Sequence, residues 1–540
     1  MMGLLLLMAT TASHAAETVP NARVALGLSG GGCRTGNYAL GVLHSMAALR
    51  GTNEEGEVES AVEALNFMAS VSGAGWGVGA IYAEGAEEVG LPSDGMWARN
   101  PLQAALLSDP AALYTDDSWD EVQKRMRCRY NIRMGVGTGT ALVTKRGVAW
   151  GNKNGFGKVL INQIAGVRRF EQGVDNHWRD RSQGLTLSDV TAGRAPTWYP
   201  VSTWLDPTLA GEGDSMSSYA PYGYVHDPGF DGDAGYARDD KRNRMCIIPF
   251  SADFFKTEMP LQRYMTIAPR NHWVVPGGAG DGGAADVGAL PIAMGLLASS
   301  AVPPAAPPVV MGVGADGASD EDITAHYLVD GAFSDRYSVS TAARWLVEGD
   351  AAAEPDRGVL LLIYSRPRLE ADWWTTNGRI PHKVGIQQAF EIDNVLTDYE
   401  DLTPILDASD IAGVNAVTLK SPAVPDGPGV HTLNTQVLSL GMDLLDSNSL
   451  WEGWDAGAVC RGAVRALYGR VSFISTDAVT QRRHQPLVIA AGEALVYFQQ
   501  HRLSSALWPE TAGMDTVEHA GPPLPAILVP ECSDATWVGE

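Results

Sequence analysis

The sequence has a shortage of basic residues, few cysteines, and no long apolar run beyond its N-terminus. Among 540 residues, 39 are Lys or Arg and 63 are Asp or Glu, which gives a formal net charge of −24. Nucleic-acid-binding proteins need a basic surface, and anionic membranes attract basic segments. The charge balance therefore argues against nucleic acid as a partner and against long-range attraction to anionic membranes. No later stretch approaches the roughly 20 apolar residues of a spanning helix.

The cysteines are widely separated, and no two of them form the C-x-x-C pattern of a zinc site, so we expect no metal centre. The five are Cys33, Cys128, Cys246, Cys460 and Cys532. If the protein is exported, four of them can pair in two disulfides, although the sequence leaves the pairing open. Cys33 would then be the odd one, and its place in a glycine run favours a buried small residue over a nucleophile.

Residues 1–16 have the pattern of a secretory signal peptide. Residues 3–9 form a short apolar core, and Ser13-His14-Ala15 is a small-x-small cleavage pattern, although no Lys or Arg precedes the core. We therefore expect a secreted or periplasmic protein with a mature chain of residues 17–540. No cysteine stands at the cleavage point, so a lipoprotein anchor is not expected.

Hydrophobic residues make up 45% of the chain, enough for a large core. The patterns predict helices over residues 38–50, 58–65, 432–445 and 490–507, and strands over residues 358–364 and 469–475. Because strands and helices alternate without an internal repeat, we expect one α/β domain with inserts.

Residues 65–82 place a single serine between an apolar run and a run of small residues. The apolar run predicts a strand that ends at Ser72. The small residues that follow are Gly73, Ala74 and Gly75, and a helix-compatible segment comes next. A serine hydrolase needs strand, sharp turn and helix in this order, because the turn exposes Oγ and the helix N-terminus favours negative charge.

This pattern departs from the usual G-x-S-x-G, since Ser70 and Ala74 stand at the glycine positions. A buried strand followed by a packing helix is an alternative interpretation of the same residues. Ser70 is a competing nucleophile, because strand alternation places it on the same side as Ser72. We favour Ser72, since it is the one followed directly by glycine.

Residues 24–46 predict a second strand, loop and helix. The loop reads Ser29-Gly30-Gly31-Gly32-Cys33-Arg34. Consecutive glycines can point backbone N–H groups into a site, as in an oxyanion hole, and an arginine suits a phosphate or carboxylate. Two phosphate-binding motifs fail here: G-x-G-x-x-G needs glycine where Thr35 stands, and a P-loop needs Gly-Lys-Ser/Thr.

Residues 326–339 supply a carboxylate at the end of a third predicted strand, which is followed by Asp330-Gly331. An aspartate in this position can accept the proton of a serine hydroxyl. The alternative is an ordinary Asp-Gly turn.

These three segments, in this order, resemble the patatin-like and cytosolic phospholipase A2-like lipid acyl hydrolases. That family has a Gly-Gly-Gly-x-Arg loop, a serine elbow and a late Asp-Gly. Ser72-Gly73 followed by Trp76 is similar to the cytosolic phospholipase A2 and lysophospholipase B branch, whereas Asp330-Gly331-Ala332 is more similar to patatin. Residues 298–304, Ala-Ser-Ser-Ala-Val-Pro-Pro, resemble a helix end that comes shortly before the catalytic aspartate.

The resemblance implies an α/β fold with a central, mostly parallel sheet flanked by helices. Residues 17–540 would form one catalytic domain, with cap or lid insertions over roughly residues 91–300. Residues 340–540 would be the C-terminal part of the same domain.

The resemblance also implies a Ser-Asp dyad of Ser72 and Asp330 that works through an acyl-enzyme without histidine, metal or cofactor. The oxyanion or substrate-binding groups would be Gly30, Gly31, Gly32, Arg34 and Gly73. Arg34 would hold a headgroup phosphate or support the loop. The implied partners are a phospholipid, lysophospholipid or other acyl-lipid substrate and, transiently, a membrane or micelle surface.

Two other functions stay open at the level of sequence. An α/β-hydrolase with a Ser-Asp-His triad would use His382, His431 or His484, each of which is more often a surface or capping histidine. A catalytically silent lipid-binding protein could keep the same fold. The sequence does not specify which lipid is cleaved or at which acyl position. It also leaves open whether the acyl group passes to water or to another acceptor, and what the oligomeric state is.

Overall fold

The computed structural model describes most of the predicted core elements. It covers residues 22–53, 56–106, 185–205, 245–250, 261–266, 272–273, 288, 290, 292–300, 309–313, 324–333, 335, 337–348, 357–365, 415–420, 432–472, 474, 484–509 and 521–539. The predicted signal peptide, residues 1–16, lies outside these residues. So do His382 and His431, and most of the predicted insertion, including residues 107–184 and 206–244.

The described strands all have short or medium length. They are β1 Ala22–Leu28, β2 Arg50–Thr52, β3 Val58–Ser60, β4 Phe67–Val71, β5 Thr197–Leu205, β6 Met245–Pro249, β7 Leu261–Thr266, β8 His272–Trp273, β9 Val309–Val313, β10 Thr324–Asp330, β11 Arg357–Tyr364, β12 Asn415–Lys420, β13 Thr432–Gly441, β14 Trp454–Asp455 and β15 Thr536–Trp537.

The described α-helices range from one turn to six turns. They are α1 Gly32–Ala48, α2 Gly73–Val89, α3 Pro101–Leu106, α4 Ile292–Ser299, α5 Val339–Glu348, α6 Ala458–Ser472, α7 Gln485–Leu507 and α8 Val529–Cys532. Short 3-10 turns lie at Asp189–Thr191, Gly331–Phe333, Met442–Asp446 and Asn448–Trp451.

One sheet of eleven strands organises the protein, in the order β12-β13-β11-β1-β4-β5-β10-β9-β7-β8, with β6 paired to β5. The five central strands β13, β11, β1, β4 and β5 are parallel. Antiparallel strands extend the sheet on both sides. The predicted fold class, a mostly parallel central sheet flanked by helices, is confirmed for this centre.

The two faces of the sheet bury different helices. One face packs against α1, α2 and α7 through a large cluster of buried apolar residues that includes Leu28, Val78 and Trp198. The other face packs against α5 through a second cluster that includes Val71 and Val201. Because both faces are covered, the central strands are apolar almost throughout, as parallel sheets require.

The C-terminal part of the chain completes the centre of the sheet. Strand β11, predicted over residues 358–364, pairs with β1 in parallel from Ala22↔Arg357 to Leu28↔Ile363. Helix α7, predicted over residues 490–507, spans Gln485–Leu507 and packs on α1. Part of the range assigned to insertions also belongs to the sheet, since β5 pairs with β4 in parallel.

Three predicted elements differ in the structure. Residues 432–445 were predicted as a helix, but residues 432–441 form β13, because this segment pairs with β11 on one side and β12 on the other, and residues 442–445 belong to a 3-10 turn.

Residues 469–475 were predicted as a strand, but residues 469–472 form the last turn of α6, because Val464, Leu467 and Val471 are buried at helical spacing.

Residues 58–65 were predicted as a helix, but they form β3 and one turn. That turn is closed by Ser60 and Glu63, whose side chains accept each other's backbone N–H at 3.1 and 2.9 Å. It extends no further because β4 begins at Phe67.

Candidate active site

Ser72 lies at a sharp turn between β4 and α2. Its backbone has φ 53° and ψ −125°, and it is the N-terminal capping residue of α2. A non-glycine residue in this region of φ/ψ space is strained by about 1–3 kcal/mol, and such strain is concentrated at functional sites. This is the conformation that a nucleophile elbow requires, because it turns the serine side chain out of the strand.

The two candidate serines have different environments. Ser70 is fully buried, and its Oγ accepts a hydrogen bond of 2.8 Å from the indole Nε1 of Trp198. Ser72 is 8% exposed. In the described part of the chain its hydroxyl makes no hydrogen bond. The Ser70 hydroxyl is therefore engaged by Trp198, and Ser72 has the more exposed side chain of the two.

The backbone N–H of Ser72 is held by the end of α4. It donates a hydrogen bond of 2.9 Å to Ser299 Oγ. The next residue, Ser300, accepts a bond of 3.1 Å from Trp76 Nε1 and donates one of 2.6 Å to the carbonyl of Leu296. Both serines are buried. The end of α4 is therefore joined to the elbow at two points, the backbone of Ser72 and the side chain of Trp76 on α2.

The glycine loop connects β1 to α1 and takes conformations that favour glycine. Gly31 has φ 147° and Gly32 has φ 63°. The buried Thr35 fixes the loop from below, because its hydroxyl donates to the Gly30 carbonyl at 3.2 Å and lies 2.6 Å from Ser365 Oγ. A Cβ at Gly31 would lie 2.1 Å from Thr35 Oγ1, which leaves no room for another residue type.

The glycine loop and the elbow touch each other. A Cβ at Gly73 would lie 2.0 Å from the carbonyl oxygen of Gly32. Helix α1 begins at Gly32 and α2 begins at Gly73, so two helix N-termini meet beside Ser72. Neither helix has an acidic residue in its first turn. Two partial positive charges and the N–H groups at the starts of the two helices can therefore stabilise an oxyanion here.

Asp330 is the last residue of β10 and is buried, with 1% of its surface exposed. Its Oδ1 accepts a hydrogen bond of 2.8 Å from the N–H of Ala332. Gly331 packs against β5, since a Cβ there would lie 2.2 Å from the carbonyl oxygen of Val201. The Asp-Gly turn thus fixes the carboxylate at the edge of the sheet.

Strand register relates Asp330 to Ser72. Val71, just before Ser72, pairs with Val201 on β5, and Ser202 pairs with Asp330. Strands β4 and β10 are separated by two strand spacings of about 4.8 Å each, with β5 between them. The side chains have to bridge most of that distance. No hydrogen bond joins the Ser72 hydroxyl to Asp330 in the described residues, and in free enzymes such bonds often form only with substrate.

Arg34 is buried and is directed at the C-terminal end of α6. Its Nη1 donates to the carbonyls of Ser472 and Ile474 at 3.4 and 3.3 Å. A cation here interacts favourably with the negative end of the helix dipole. These contacts agree with a support for the loop, and both roles of Arg34 stay predictions.

The field of Arg34 also reaches Tyr468 on α6. Burial raises the pKa of the Tyr468 phenol and nearby aspartates raise it further, whereas the Arg34 charge opposes these effects.

Sequence reasoning missed two hydroxyls of the site. Ser299 was part of the Ala-Ser-Ser-Ala-Val-Pro-Pro resemblance, but nothing in the sequence linked it to the N–H of Ser72. Ser202 gave no sequence signal, because an isolated serine in an apolar strand has no distinctive pattern. Strand pairing is what places Ser202 between Ser72 and Asp330.

The structure describes only some of the remaining predicted features. Of the three candidate histidines, His484 is described, and it lies at the N-cap position of α7 without a capping hydrogen bond from its side chain. Within the described residues, no group of three His, Cys, Asp or Glu side chains could hold a metal ion. Among the helices in those ranges, none has the length and apolarity needed to cross a membrane.

The chain matches no protein family profile and no curated protein. Among solved structures it is similar to human GIVD cytosolic phospholipase A2, with a TM-score of 0.35 and 10% sequence identity. The superposition covers 91% of this chain and 60% of that chain, so this chain spans less than two thirds of that protein. A similarity at this level establishes neither the family nor the activity.

Proposed function

We propose that this protein is a serine hydrolase that cleaves carboxylic esters of acyl lipids through an acyl-enzyme on Ser72. The observation that carries the proposal is the backbone of Ser72, at φ 53° and ψ −125° between a central strand and a helix N-terminus. Strain of this kind persists only where the surrounding structure holds it, and here Ser299, Gly32 and Gly73 do so.

In the acylation step, Ser72 Oγ attacks the ester carbonyl carbon and its proton passes to the Asp330 carboxylate. The tetrahedral oxyanion is stabilised by N–H groups of Gly31, Gly32 and Gly73, with Gly30 completing the loop. Removing one such donor costs about 3–4 kcal/mol of transition-state stabilisation. The alcohol then leaves with the proton from Asp330, and the acyl group stays on Ser72.

The substrate class that we propose is a glycerophospholipid or lysophospholipid, on the strength of the motif resemblance. With a net charge of −24 the protein has no general attraction to an anionic bilayer, so it would bind by apolar contact or take dispersed lipid. Export also remains a proposal. It is supported by the disulfide between Cys460 and Cys532, because such bonds persist in oxidising compartments.

Labelling with a fluorophosphonate tests the nucleophile. We expect the folded wild-type protein to be labelled at Ser72, and Ser72→Ala to abolish labelling. Ser439→Ala is the matched control, because it removes another buried strand hydroxyl, one that bonds to Tyr364 at 2.6 Å on β11. A folded wild-type protein that takes no label would favour the silent lipid-binding protein.

A mixed lipid panel analysed by mass spectrometry tests the substrate class. We expect release of free fatty acid by the wild type, and loss of release in Asp330→Asn. Replacing His382, His431 and His484 together should leave release intact. If that triple variant were inactive but folded, the Ser-Asp-His triad would be the better mechanism.

A further inference from the structure

Ser202 carries a buried hydroxyl that none of the described residues satisfies. The residue is fully buried in β5, and its Oγ has no hydrogen-bond partner in the described part of the chain. Leaving a buried hydroxyl unpaired is unfavourable, and such groups in native structures call for an explanation. The neighbouring buried Ser70, on the adjacent strand, does have a partner in Trp198.

The register of the sheet places this hydroxyl between the two proposed reactive groups. Ser202 is paired directly with Asp330 in the antiparallel ladder of β5 and β10, so the two side chains project from the same face. On its other side, Ser202 follows Val201, the partner of Val71, which immediately precedes Ser72.

Ser202 and Asp330 lie on the sheet face that packs against α2. Val201 packs on the α5 side, so Ser202 faces the opposite side, together with Trp198 and with Leu328 of β10.

We propose that Ser202 binds the hydrolytic water of the deacylation step, an inference that rests on the proposed acyl-enzyme at Ser72. A buried water needs two to four polar partners. On the strand register, the Ser202 hydroxyl and the Asp330 carboxylate would supply two of them and the acyl oxygen on Ser72 a third. The site is thereby built for hydrolysis of the acyl-enzyme, since it holds water next to the base.

In deacylation, Asp330 acts first as a base and then as an acid. The water oxygen attacks the acyl carbonyl carbon while Asp330 takes one water proton. The bond between that carbon and Ser72 Oγ then breaks, the fatty acid leaves, and Asp330 returns the proton to Ser72 Oγ. Ser202 neither gains nor loses a proton, because it only orients the water by a hydrogen bond.

Separate measurement of acylation and deacylation tests the inference. We would follow formation and loss of the acyl-enzyme by rapid quench and intact mass spectrometry, with a p-nitrophenyl fatty acid ester as the probe. In Ser202→Ala we expect the acylation rate and the fluorophosphonate labelling rate to stay near wild type. The deacylation rate should fall roughly three- to tenfold, as for the loss of one hydrogen bond.

Two further variants make the result interpretable. Ser202→Thr keeps the hydroxyl on a β-branched side chain that suits a strand, so it should retain most of the deacylation rate. Ser439→Ala should change neither rate. Thermal unfolding of each variant identifies any that fail to fold. If Ser202→Ala fails to fold, the deacylation rate of Ser202→Thr is compared with that of the wild type instead.

The outcomes separate this inference from the proposed function. If Ser202→Ala slows both steps equally, or neither step, Ser202 does not bind the water, although Ser72 remains the nucleophile. If the wild-type protein forms no acyl-enzyme and takes no fluorophosphonate, the proposed function is wrong and the role of Ser202 falls with it.

Discussion

Gly73 and Gly32 are in backbone contact, so that a Cβ on Gly73 would lie 2.0 Å from the Gly32 carbonyl oxygen. The two residues are the first of α2 and the first of α1. The contact joins the turn that presents the serine to the loop that would receive the oxyanion. Because glycine at position 73 allows this close approach, it sets the distance between the elbow and the glycine loop.

Gly73→Ala should therefore separate the elbow from the loop. We expect the free energy of unfolding to fall by about 1–3 kcal/mol, as for overpacking. We expect ester hydrolysis to fall by at least about a hundredfold, because a displacement near 1 Å has effects of that size. Denaturant unfolding and kcat/KM on a p-nitrophenyl ester measure the two changes.

Gly462→Ala is the matched control for that change. Gly462 lies in the helix α6, and a Cβ there would meet nothing within 4 Å. The substitution should raise stability by up to about 1 kcal/mol, because alanine is the better helix former, and leave kcat/KM unchanged. Equal losses of activity in both variants would mean that the Gly73 contact has no special role.

Ser299→Ala should loosen the elbow by removing the acceptor of the Ser72 N–H. An unpaired buried donor costs about 1–3 kcal/mol of stability. We also expect slower labelling of Ser72 by a fluorophosphonate, since the strained backbone at Ser72 loses one of the contacts that hold it. Labelling rate and melting temperature are the measurements.

Ser300→Ala is the comparison for Ser299→Ala. Its hydroxyl bonds to Trp76 Nε1 and to the Leu296 carbonyl, and not to the backbone of Ser72. The stability loss should be similar and the labelling rate less affected. The prediction for Ser299 is wrong if the two variants slow labelling to the same degree.

Arg34→Lys should act on the loop rather than on the choice of substrate. A lysine has one ammonium group in place of the guanidinium that reaches two carbonyls at the end of α6, so we expect lower stability and lower activity. The ratio of kcat/KM for a lysophospholipid to that for a neutral monoacylglycerol should stay constant. A selective loss of activity on the phosphate-bearing lipid would instead assign Arg34 to the headgroup.

The disulfide between Cys460 and Cys532 should stabilise the C-terminal region. It joins α6 to α8 across a sequence separation of 72 residues, a closure that contributes about 2–4 kcal/mol. The double variant Cys460→Ser and Cys532→Ser should lose that amount in denaturant unfolding. Adding a reductant should lower the free energy of unfolding of the wild type to that of the double variant, and it should leave the double variant unchanged.

The sequence alone determined the parts of the site that depend on local backbone conformation. The glycines at 30–32 and the small residues after Ser72 permit the sharp turns found there, and the Asp-Gly pair favours a turn. The strands and turns predicted at these places are therefore observed. The alternation of strands and helices indicated an α/β domain, and the parallel centre of its sheet was implied by the family resemblance. Local propensity failed at residues 469–475, where burial at helical spacing outweighed β-branched and aromatic residues.

Only the tertiary structure decided which side chains meet. Arg34 bonds to carbonyls 438 and 440 residues away, and Ser72 is held by a serine 227 residues away. Ser202 lies beside Asp330 because β5 and β10 pair in one register, and that register depends on the packing of two sheet faces. Contacts of this kind arise from burial of the whole sheet, so no short stretch of sequence specifies them.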